Sequence, residues 1–265
     1  MVFRVVLVVA ALALAGCTGR SDSVTLVGST ALLPLAAQAS ADFSRADPQA
    51  RIAVAGGGSG VGLAQVENGV VDIGMSDIPA PASSSDLVDN RVAIAGFAVI
   101  VRSGPPLQRV KNLSVAQLRS IFSGAVANWR ALGGPDVPIT VVNRPRSSGT
   151  RGTFTAAIMR GTPYTNRQLE LDSNGSVVDA VSRSVGAISY VSFGYAAKPG
   201  IRALQLNGAT PSARDVAARR YPLWSYEHMY TKGPPRGVAA KYIAFILRPG
   251  YQRTTVARLG FVPLR

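Results

Sequence analysis

The residues best suited to chemistry lie between residues 143 and 151, where the sequence reads Asn-Arg-Pro-Arg-Ser-Ser-Gly-Thr-Arg. An apolar strand precedes this stretch, and the spacing of apolar residues predicts a helix from Thr150 to Met159. Gly149 permits a close approach of backbone to a ligand, while Ser148 and Thr150 place hydroxyl and amide hydrogens at the positive end of that helix. The pattern is typical of a loop that holds an anion. A capped helix flanked by solvated arginines gives the same pattern, so both interpretations stay open.

Three other predicted strand ends carry side chains of a similar kind. The strands cover residues 24–27, 52–55 and 70–77, and they end, in that order, at Ser29-Thr30, at a glycine-rich turn containing Ser59, and at Asp77. Ordinary helix caps would also explain the two turns with hydroxyls, and a turn aspartate bonded to a nearby backbone N–H would explain the carboxylate. The glycine-rich turn fits neither a dinucleotide fingerprint nor a P-loop, so the sequence gives no sign of a cofactor.

Predicted strands and helices alternate throughout, which indicates an α/β protein with largely parallel sheets. The chain has 265 residues, 47% of them hydrophobic, enough for one large domain or two of ordinary size. A long apolar strand over Val92–Val101 is expected to be buried. Ligands of such sheets bind at the carboxyl ends of strands.

The first residues resemble an export signal. One early charge, Arg4, precedes an apolar run that is too short for a permanent membrane anchor. The run ends Leu-Ala-Gly-Cys, which resembles the lipobox of bacterial lipoproteins and predicts a signal peptide over 1–16, lipidation of Cys17 and a tether over 17–23. Cys17 is the only cysteine, so an internal disulfide is excluded; the alternative is a core cysteine after a cleaved signal.

The chain is strongly basic, with 28 lysines and arginines against 14 acidic residues and a formal net charge of +14. Such a field suits an anionic ligand, an anionic membrane surface or a nucleic acid. Export and the absence of basic runs with interleaved aromatics argue against nucleic acid. His228 is the only histidine, so neither a His-rich metal site nor a Ser-His-Asp arrangement has its parts, and no catalytic residue is predicted.

Four motifs, in this order, resemble the ligand loops of the phosphate-binding lipoproteins that serve bacterial phosphate ABC transporters, the PstS family. They are Gly28-Ser29-Thr30, Gly58-Ser59-Gly60, Met75-Ser76-Asp77 and the stretch from Arg144 to Thr150. The resemblance covers nearly the whole chain after the signal. It implies a two-lobe fold of the periplasmic-binding-protein-like (type II) class, with lobe one over 24–102 plus 222–265, lobe two over 103–221, and the ligand cleft between them.

The resemblance also implies a role and a location. The protein would bind inorganic phosphate and deliver it to the membrane permease of an ABC importer, as a monomer without enzymatic activity, cofactor or metal. It would be anchored by the lipid, a palmitate among its acyl groups, and face the periplasm or the cell exterior. The implied phosphate ligands are hydroxyl and amide donors, one guanidinium and one carboxylate that accepts the ligand's proton: Ser29, Thr30, Ala31, Ser59, Ser148, Gly149, Thr150, Arg144 and Asp77.

One position departs from the family pattern. Where the family usually has an acidic residue two places after the arginine, this chain has Arg146. We expect its side chain to point into solvent, because an unpaired buried cation is costly. The alternatives to phosphate binding are a binder of sulfate or molybdate, a secreted phosphate-ester hydrolase, and a surface protein of the same fold that signals or adheres.

Overall fold

The computed structural model describes residues 23–264. The predicted signal peptide, the predicted lipidation site Cys17 and all of the predicted tether except Ser23 therefore lie outside the described residues. Within residues 23–264, no helix is both long enough and apolar enough to cross a membrane.

Strands and helices alternate through the described residues as expected. The strands are β1 (Ser23–Gly28), β2 (Arg51–Gly56), β3 (Ile73–Ser76), β4 (Leu87–Arg102), β5 (Asn112–Leu113), β6 (Thr140–Asn143), β7 (Gln168–Glu170), β8 (Ala187–Ser192), β9 (Ile201–Ala203), β10 (Gln205–Leu206) and β11 (Trp224–Lys232). The α-helices are α1 (Leu33–Ala46), α2 (Ser59–Glu67), α3 (Val115–Phe122), α4 (Gly149–Phe154), α5 (Asn174–Arg183), α6 (Phe193–Ala196), α7 (Ala213–Ala217), α8 (Gly237–Ile246) and α9 (Pro249–Tyr251).

Nine strands form one sheet in the order β2-β1-β3-β11-β4-β8-β6-β7, with β9 also paired to β4. The strands β2, β1 and β3 are parallel, as are β8, β6 and β7. Between them β11 and β4 run antiparallel to their neighbours. The expectation of a largely parallel sheet is therefore correct at each side and wrong at the centre.

The central strand β4 explains this arrangement. Its residues 87–96 pair with β11, and its residues 97–101 pair with β8. We call β2, β1, β3 and β11 the first half of the sheet and β8, β6, β7 and β9 the second half; β4 belongs to both. The expected strand Val92–Val101 is largely buried, as predicted. The strand β4 begins five residues earlier, at Leu87, because three consecutive polar residues, Asp89 to Arg91, interrupt the apolar run from which the strand was predicted.

Each half has its own aromatic packing. In the first, Phe43 of α1 packs edge-on against Tyr242 of α8, with ring centroids 5.8 Å apart. In the second, Phe154 stacks on Tyr190 with centroids 4.0 Å apart. Such contacts add roughly 0.5–1.5 kcal/mol each beyond the burial of the rings, so each half can hold its own loops in place.

Two local features position the loops of the candidate site. Helix α2 lies directly on β1 because Gly62 has no side chain: a Cβ there would come within 2.6 Å of the Val27 carbonyl oxygen. This contact fixes the start of α2 beside the end of β3. The helix predicted over Thr150–Met159 is confirmed in extent, but it is an α-helix only to Phe154 and continues as a π-helix over Thr155–Met159.

We expect Trp129→Phe to lower the free energy of unfolding by about 2 kcal/mol, because it removes a buried hydrogen bond and part of a fully buried ring. The Trp129 indole nitrogen donates to the Gly186 carbonyl oxygen at 3.1 Å, and the side chain is fully buried. Urea denaturation measures the change. The control is Trp224→Phe, since Trp224 is only partly buried. Equal losses in the two variants would contradict this account.

Candidate anion-binding site

All nine residues predicted to form the site are buried and lie where the two halves of the sheet meet. The first half supplies the residues that follow β1, open α2 and follow β3, namely Ser29, Thr30, Ala31, Ser59 and Asp77. The second half supplies the residues that follow β6 and open α4, namely Arg144, Ser148, Gly149 and Thr150. The carboxyl ends of strands from both halves therefore face one cluster, as expected for an α/β ligand site.

The Asp77 carboxylate lies at the centre of this cluster. The Ser29 hydroxyl, from the first half, donates to its Oδ1, and the Thr150 hydroxyl, from the second half, donates to its Oδ2 at 2.7 Å. Its own backbone N–H donates to the Ser59 hydroxyl oxygen at 2.9 Å. Each carboxylate oxygen thus has a hydroxyl partner, and the simple turn aspartate bonded to a backbone N–H is not what forms.

Arg144 supplies the buried positive charge. Its Nε donates to the Leu171 carbonyl oxygen at 2.9 Å, and its Nη2 donates to the Asp172 carbonyl oxygen at 2.6 Å and to the Thr30 hydroxyl at 3.3 Å. Its Nη1 is buried without a hydrogen-bond partner in residues 23–264. Burial lowers the pKa of this guanidinium, and the Asp77 charge acts in the opposite direction. An unpaired cationic donor in a buried site is costly unless an anion meets it.

The structure shows how Arg144 is held although Arg146 replaces the acidic residue of the family pattern. Arg146 is exposed, as predicted. Backbone carbonyls of Leu171 and Asp172 restrain the Arg144 guanidinium instead of an acidic side chain. A neighbouring cation, Arg151, donates to the Arg144 carbonyl oxygen at 2.6 Å and to Glu170 at 2.7 Å, which fixes the backbone of the loop.

The serine hydroxyls already serve the backbone. The Ser29 hydroxyl oxygen accepts the N–H of Ala31 at 3.0 Å, so the amide predicted to contact a ligand is engaged within its own turn. Ser148 caps α4, since its hydroxyl oxygen accepts the Arg151 N–H at 3.3 Å. The Ser148 hydroxyl hydrogen can still donate to an anion, whereas the Ser29 hydroxyl hydrogen is donated to Asp77 and must turn from it to do so.

At Gly149 the two halves touch directly. A Cβ there would lie 2.1 Å from the Ser59 hydroxyl oxygen and 3.0 Å from the Asp77 Cβ. Beside it the Gly60 N–H donates to the Ser147 carbonyl oxygen at 2.8 Å. The contact between the halves at this point therefore depends on a residue without a side chain.

The sequence prediction did not include two residues that contribute to the cluster. Asn174 opens α5, donates to the Thr30 hydroxyl at 3.0 Å, and accepts the Ser192 N–H at 3.0 Å. Its position directly after the capping Ser173 was a sign, because a buried asparagine in a first turn needs partners. Glu227, in β11, is fully buried and faces Asp77; burial and the Asp77 charge raise the pKa of its carboxyl group well above the usual value.

The arrangement suits a small oxyanion. It combines one fixed cation, several hydroxyl donors and one carboxylate acceptor within a buried cluster. The only histidine lies elsewhere: His228 bonds Asp89 at 2.7 Å and stacks on Tyr230 with ring centroids 5.4 Å apart. This geometry gives His228 a packing role in β11, where its Nδ1 also lies 3.4 Å from the Tyr230 hydroxyl.

The chain is similar to known proteins in both sequence and fold. A family model described as a PBP superfamily domain matches residues 15–249. The phosphate-binding protein PstS of Bacillus subtilis is 39% identical over 248 residues, which is 92% of this chain and 81% of that protein. PstS of Pseudomonas aeruginosa is 24% identical over 277 residues, covering 93% of this chain and 84% of that protein.

Two solved structures agree in fold. One, from Clostridium perfringens, is described as a phosphate ABC transporter substrate-binding protein with bound phosphate; it has a TM-score of 0.85 and 27% identity over 92% of this chain and 100% of that one. The other, an ABC-type phosphate transport receptor from Vibrio cholerae, has a TM-score of 0.72 and 26% identity over 90% of this chain and 99% of that one. The predicted α/β class and periplasmic-binding-protein-like fold are confirmed.

We expect Gly149→Ala to lower the free energy of unfolding by about 1–3 kcal/mol, because the added methyl group must displace Ser59 or move α4 away from the first half. Thermal or urea denaturation measures the loss. Gly250→Ala is the matched control, since a Cβ at that position meets no atom within 4 Å. If both alanine variants unfold like the unmodified chain, the contact between the halves is looser than described.

Proposed function

The chain belongs to the PstS family of phosphate-binding proteins within the PBP superfamily, and from that premise we propose that it binds inorganic phosphate outside the cytoplasm and delivers it to an ABC-type phosphate importer. The observation that carries the proposal is the Arg144 guanidinium, which is buried beside Asp77 with its Nη1 unpaired in residues 23–264. The relatives support it, since one is solved with bound phosphate and another is a phosphate transport receptor.

The geometry around Asp77 supports the roles that we propose for the site residues. Rotation of the Ser29 and Thr150 hydroxyls turns their hydrogens from the carboxylate towards the anion. Asp77 is then free to accept the proton that phosphate carries near neutral pH. Arg144 meets the anion through its unpaired Nη1, and the remaining predicted ligands donate hydroxyl or amide hydrogens: Thr30, Ala31, Ser59, Ser148 and Gly149. For Ala31 this requires its N–H to turn from the Ser29 hydroxyl oxygen, to which it donates in the structure.

The two halves of the sheet correspond to two lobes that open and close around the anion. We assign lobe one to residues 24–102 plus 222–265 and lobe two to 103–221, with β4 crossing between them. Support comes from the division of the site itself, because the carboxylate and its neighbouring hydroxyls lie in one half while the guanidinium and α4 lie in the other. Small-angle scattering with and without phosphate tests for closure.

The lipid anchor rests on the sequence around Cys17. A monomer held at the membrane by this cysteine faces the periplasm or cell exterior, where it meets the permease. Cys17→Ser should release the chain from the membrane fraction, which fractionation measures. An unchanged membrane fraction would contradict the anchor.

Binding without turnover distinguishes this proposal from a phosphate-ester hydrolase. The relatives are binding components of transporters by name. Calorimetry of the chain lacking residues 1–17, titrated with phosphate, sulfate and molybdate, tests the ligand, and incubation with a phosphate ester tests turnover. Stoichiometric uptake of phosphate with an intact ester is expected; tighter sulfate or molybdate binding, or ester hydrolysis, would replace the proposal.

We expect Arg144→Ala to weaken phosphate binding by a few kcal/mol, since charge-assisted hydrogen bonds in a buried site contribute roughly 1.5–3 kcal/mol each. Arg146→Ala is the matched control and should have a much smaller effect, because Arg146 is exposed. Calorimetry measures both, and circular dichroism confirms that each variant is folded. Equal losses of affinity would contradict the roles assigned within this loop.

We expect the unmodified chain to prefer phosphate over sulfate by orders of magnitude, and Asp77→Asn to reduce that preference. Near neutral pH phosphate carries a proton that a carboxylate can accept, whereas sulfate meets the same carboxylate only as charge against charge. Asparagine removes the charge, keeps one acceptor oxygen and adds a donor. Titration of both anions into both proteins gives the ratio of affinities.

An unchanged phosphate-to-sulfate ratio in Asp77→Asn would rule out the proton-acceptor role. If that unchanged ratio is accompanied by a loss of both affinities, Asp77 serves mainly to hold the fold. The companion variant is Ser29→Ala, which removes one of the hydroxyl partners of Asp77. It should lower the affinities for phosphate and for sulfate without changing which of the two anions binds more tightly.

A further inference from the structure

Glu227 is a buried acid that the proposed function does not yet use. Strand β11 pairs with β3 so that His228 lies opposite Ser76, which places Glu227 opposite Asp77 at the end of the pairing. Where β11 pairs with β4, the register shifts between Glu227, which lies opposite Ala93, and His228, which lies opposite Arg91, so the pairing is irregular at this point. The side chain is fully buried, and neither carboxyl oxygen has a hydrogen-bond partner among residues 23–264.

Within residues 23–264, the charged groups of β11 and of the part of β4 paired with it are engaged elsewhere. On β11, Lys232 is exposed and donates to the Glu67 carbonyl oxygen at 2.9 Å. On β4, Asp89 pairs with His228, and Arg91 pairs with Asp89 and lies over the Tyr226 ring, 4.5 Å from its centroid.

The remaining ionisable groups around β11 do not change this balance. On α2, Glu67 is exposed, and on β11 itself Tyr230 bonds to the Ala80 N–H. The buried cation of the site, Arg144, is bonded to the Leu171 and Asp172 carbonyls.

Because no cation in the described part of the chain balances it, the Glu227 carboxyl group is expected to be neutral. Two buried carboxylates beside each other cannot both hold a negative charge without a large cost, so one of them keeps its proton. Asp77 receives hydroxyl donors at both oxygens, which stabilises its charged form. Glu227 receives none, and burial together with the Asp77 charge raises the pKa of its carboxyl group well above the usual value.

We propose that Glu227 is a specificity-determining residue of the phosphate site: a neutral carboxylic acid that donates its hydrogen bond towards Asp77 and keeps a second negative charge out of the site. This inference rests on the proposed function. With Glu227 protonated, Asp77 and Arg144 balance each other and a divalent anion can enter. With Glu227 ionised, the empty site carries a net negative charge and repels every oxyanion. Each oxygen of Asp77 has a second lone-pair direction with which to accept the Glu227 proton.

The proposal has a pH signature that a merely structural acid would lack. As pH rises through the folded-state pKa, Glu227 ionises and phosphate affinity falls. At an effective dielectric of about 20, one added charge some 5 Å away costs about 3 kcal/mol, or on the order of 100-fold in affinity. The second ionisation of phosphate itself is common to all variants, so it cancels when variants are compared at the same pH.

The first measurement needs no ligand. Infrared spectra of the ligand-free chain at neutral pH should contain the carbonyl stretch of a protonated carboxylic acid, which Glu227→Gln removes and Glu67→Gln, a change at an exposed acid, does not. The second measurement is calorimetric titration with inorganic phosphate from neutral to alkaline pH. The unmodified chain and Glu67→Gln should lose at least about 10-fold in affinity over the range in which the infrared band disappears. Glu227→Gln should lose less than about 3-fold, because glutamine keeps a neutral donor.

Each outcome decides the proposal. No acid band in the unmodified chain, or equal alkaline losses in Glu227→Gln and the unmodified chain, overturns it. Tighter neutral-pH binding by Glu227→Gln than by the unmodified chain overturns it too, since that would mean Glu227 had been charged. If Glu227→Gln fails to fold, the unmodified chain still decides, because loss of the band and loss of affinity must occur at the same pH. If the chain prefers another anion, the proposed function fails alone, and the same titration with that anion tests Glu227.

Discussion

The structure depends on burying a guanidinium and a carboxylate in one cluster between two halves of a sheet. Removing charges from water is expensive, and the cost is tolerable only when each is hydrogen-bonded and faces its opposite. Arg144 meets that condition through two backbone carbonyls and the Thr30 hydroxyl, and Asp77 meets it through two hydroxyls, one from each half. Within residues 23–264 the Nη1 of Arg144 is left without a hydrogen-bond partner. An anion that bound there could accept a hydrogen bond from this nitrogen.

The topology follows from the same requirement. Each half contributes strands whose carboxyl ends carry short polar loops, and these ends must come close enough for a threonine of α4 to reach an aspartate after β3. The long strand β4 makes this possible because it pairs with β11 over one stretch and with β8 over the next. One continuous strand thereby sets the distance between the halves, while residues without side chains, such as Gly149, permit their contact.

The sequence predicted the parts of the site that sit at strand ends, because local turn chemistry and the order of four motifs mark them. It also predicted the helical segment Thr150–Met159, whose start is marked by the capping Ser148. It could not reveal Glu227, whose significance comes from the pairing of β11 with β3, more than a hundred residues apart in the chain. It missed the antiparallel centre for the same reason, since strand direction is decided by long-range pairing. The carbonyls that hold Arg144 carry no side-chain signal at all.

The net positive charge of the protein and its buried site act on anions in different ways. A net charge of +14 draws anions of every kind towards the protein, but beyond a Debye length of about 8 Å at physiological salt that field is screened and cannot distinguish tetrahedral oxyanions. To select one oxyanion over another, the site needs a desolvated hydrogen-bond acceptor that binds a ligand carrying a proton more tightly. Such an acceptor works only if the site carries no further negative charge. The proposed protonated Glu227 beside Asp77 would satisfy that condition. On this proposal the positive surface governs how fast anions arrive, and the balanced interior governs which anion stays bound.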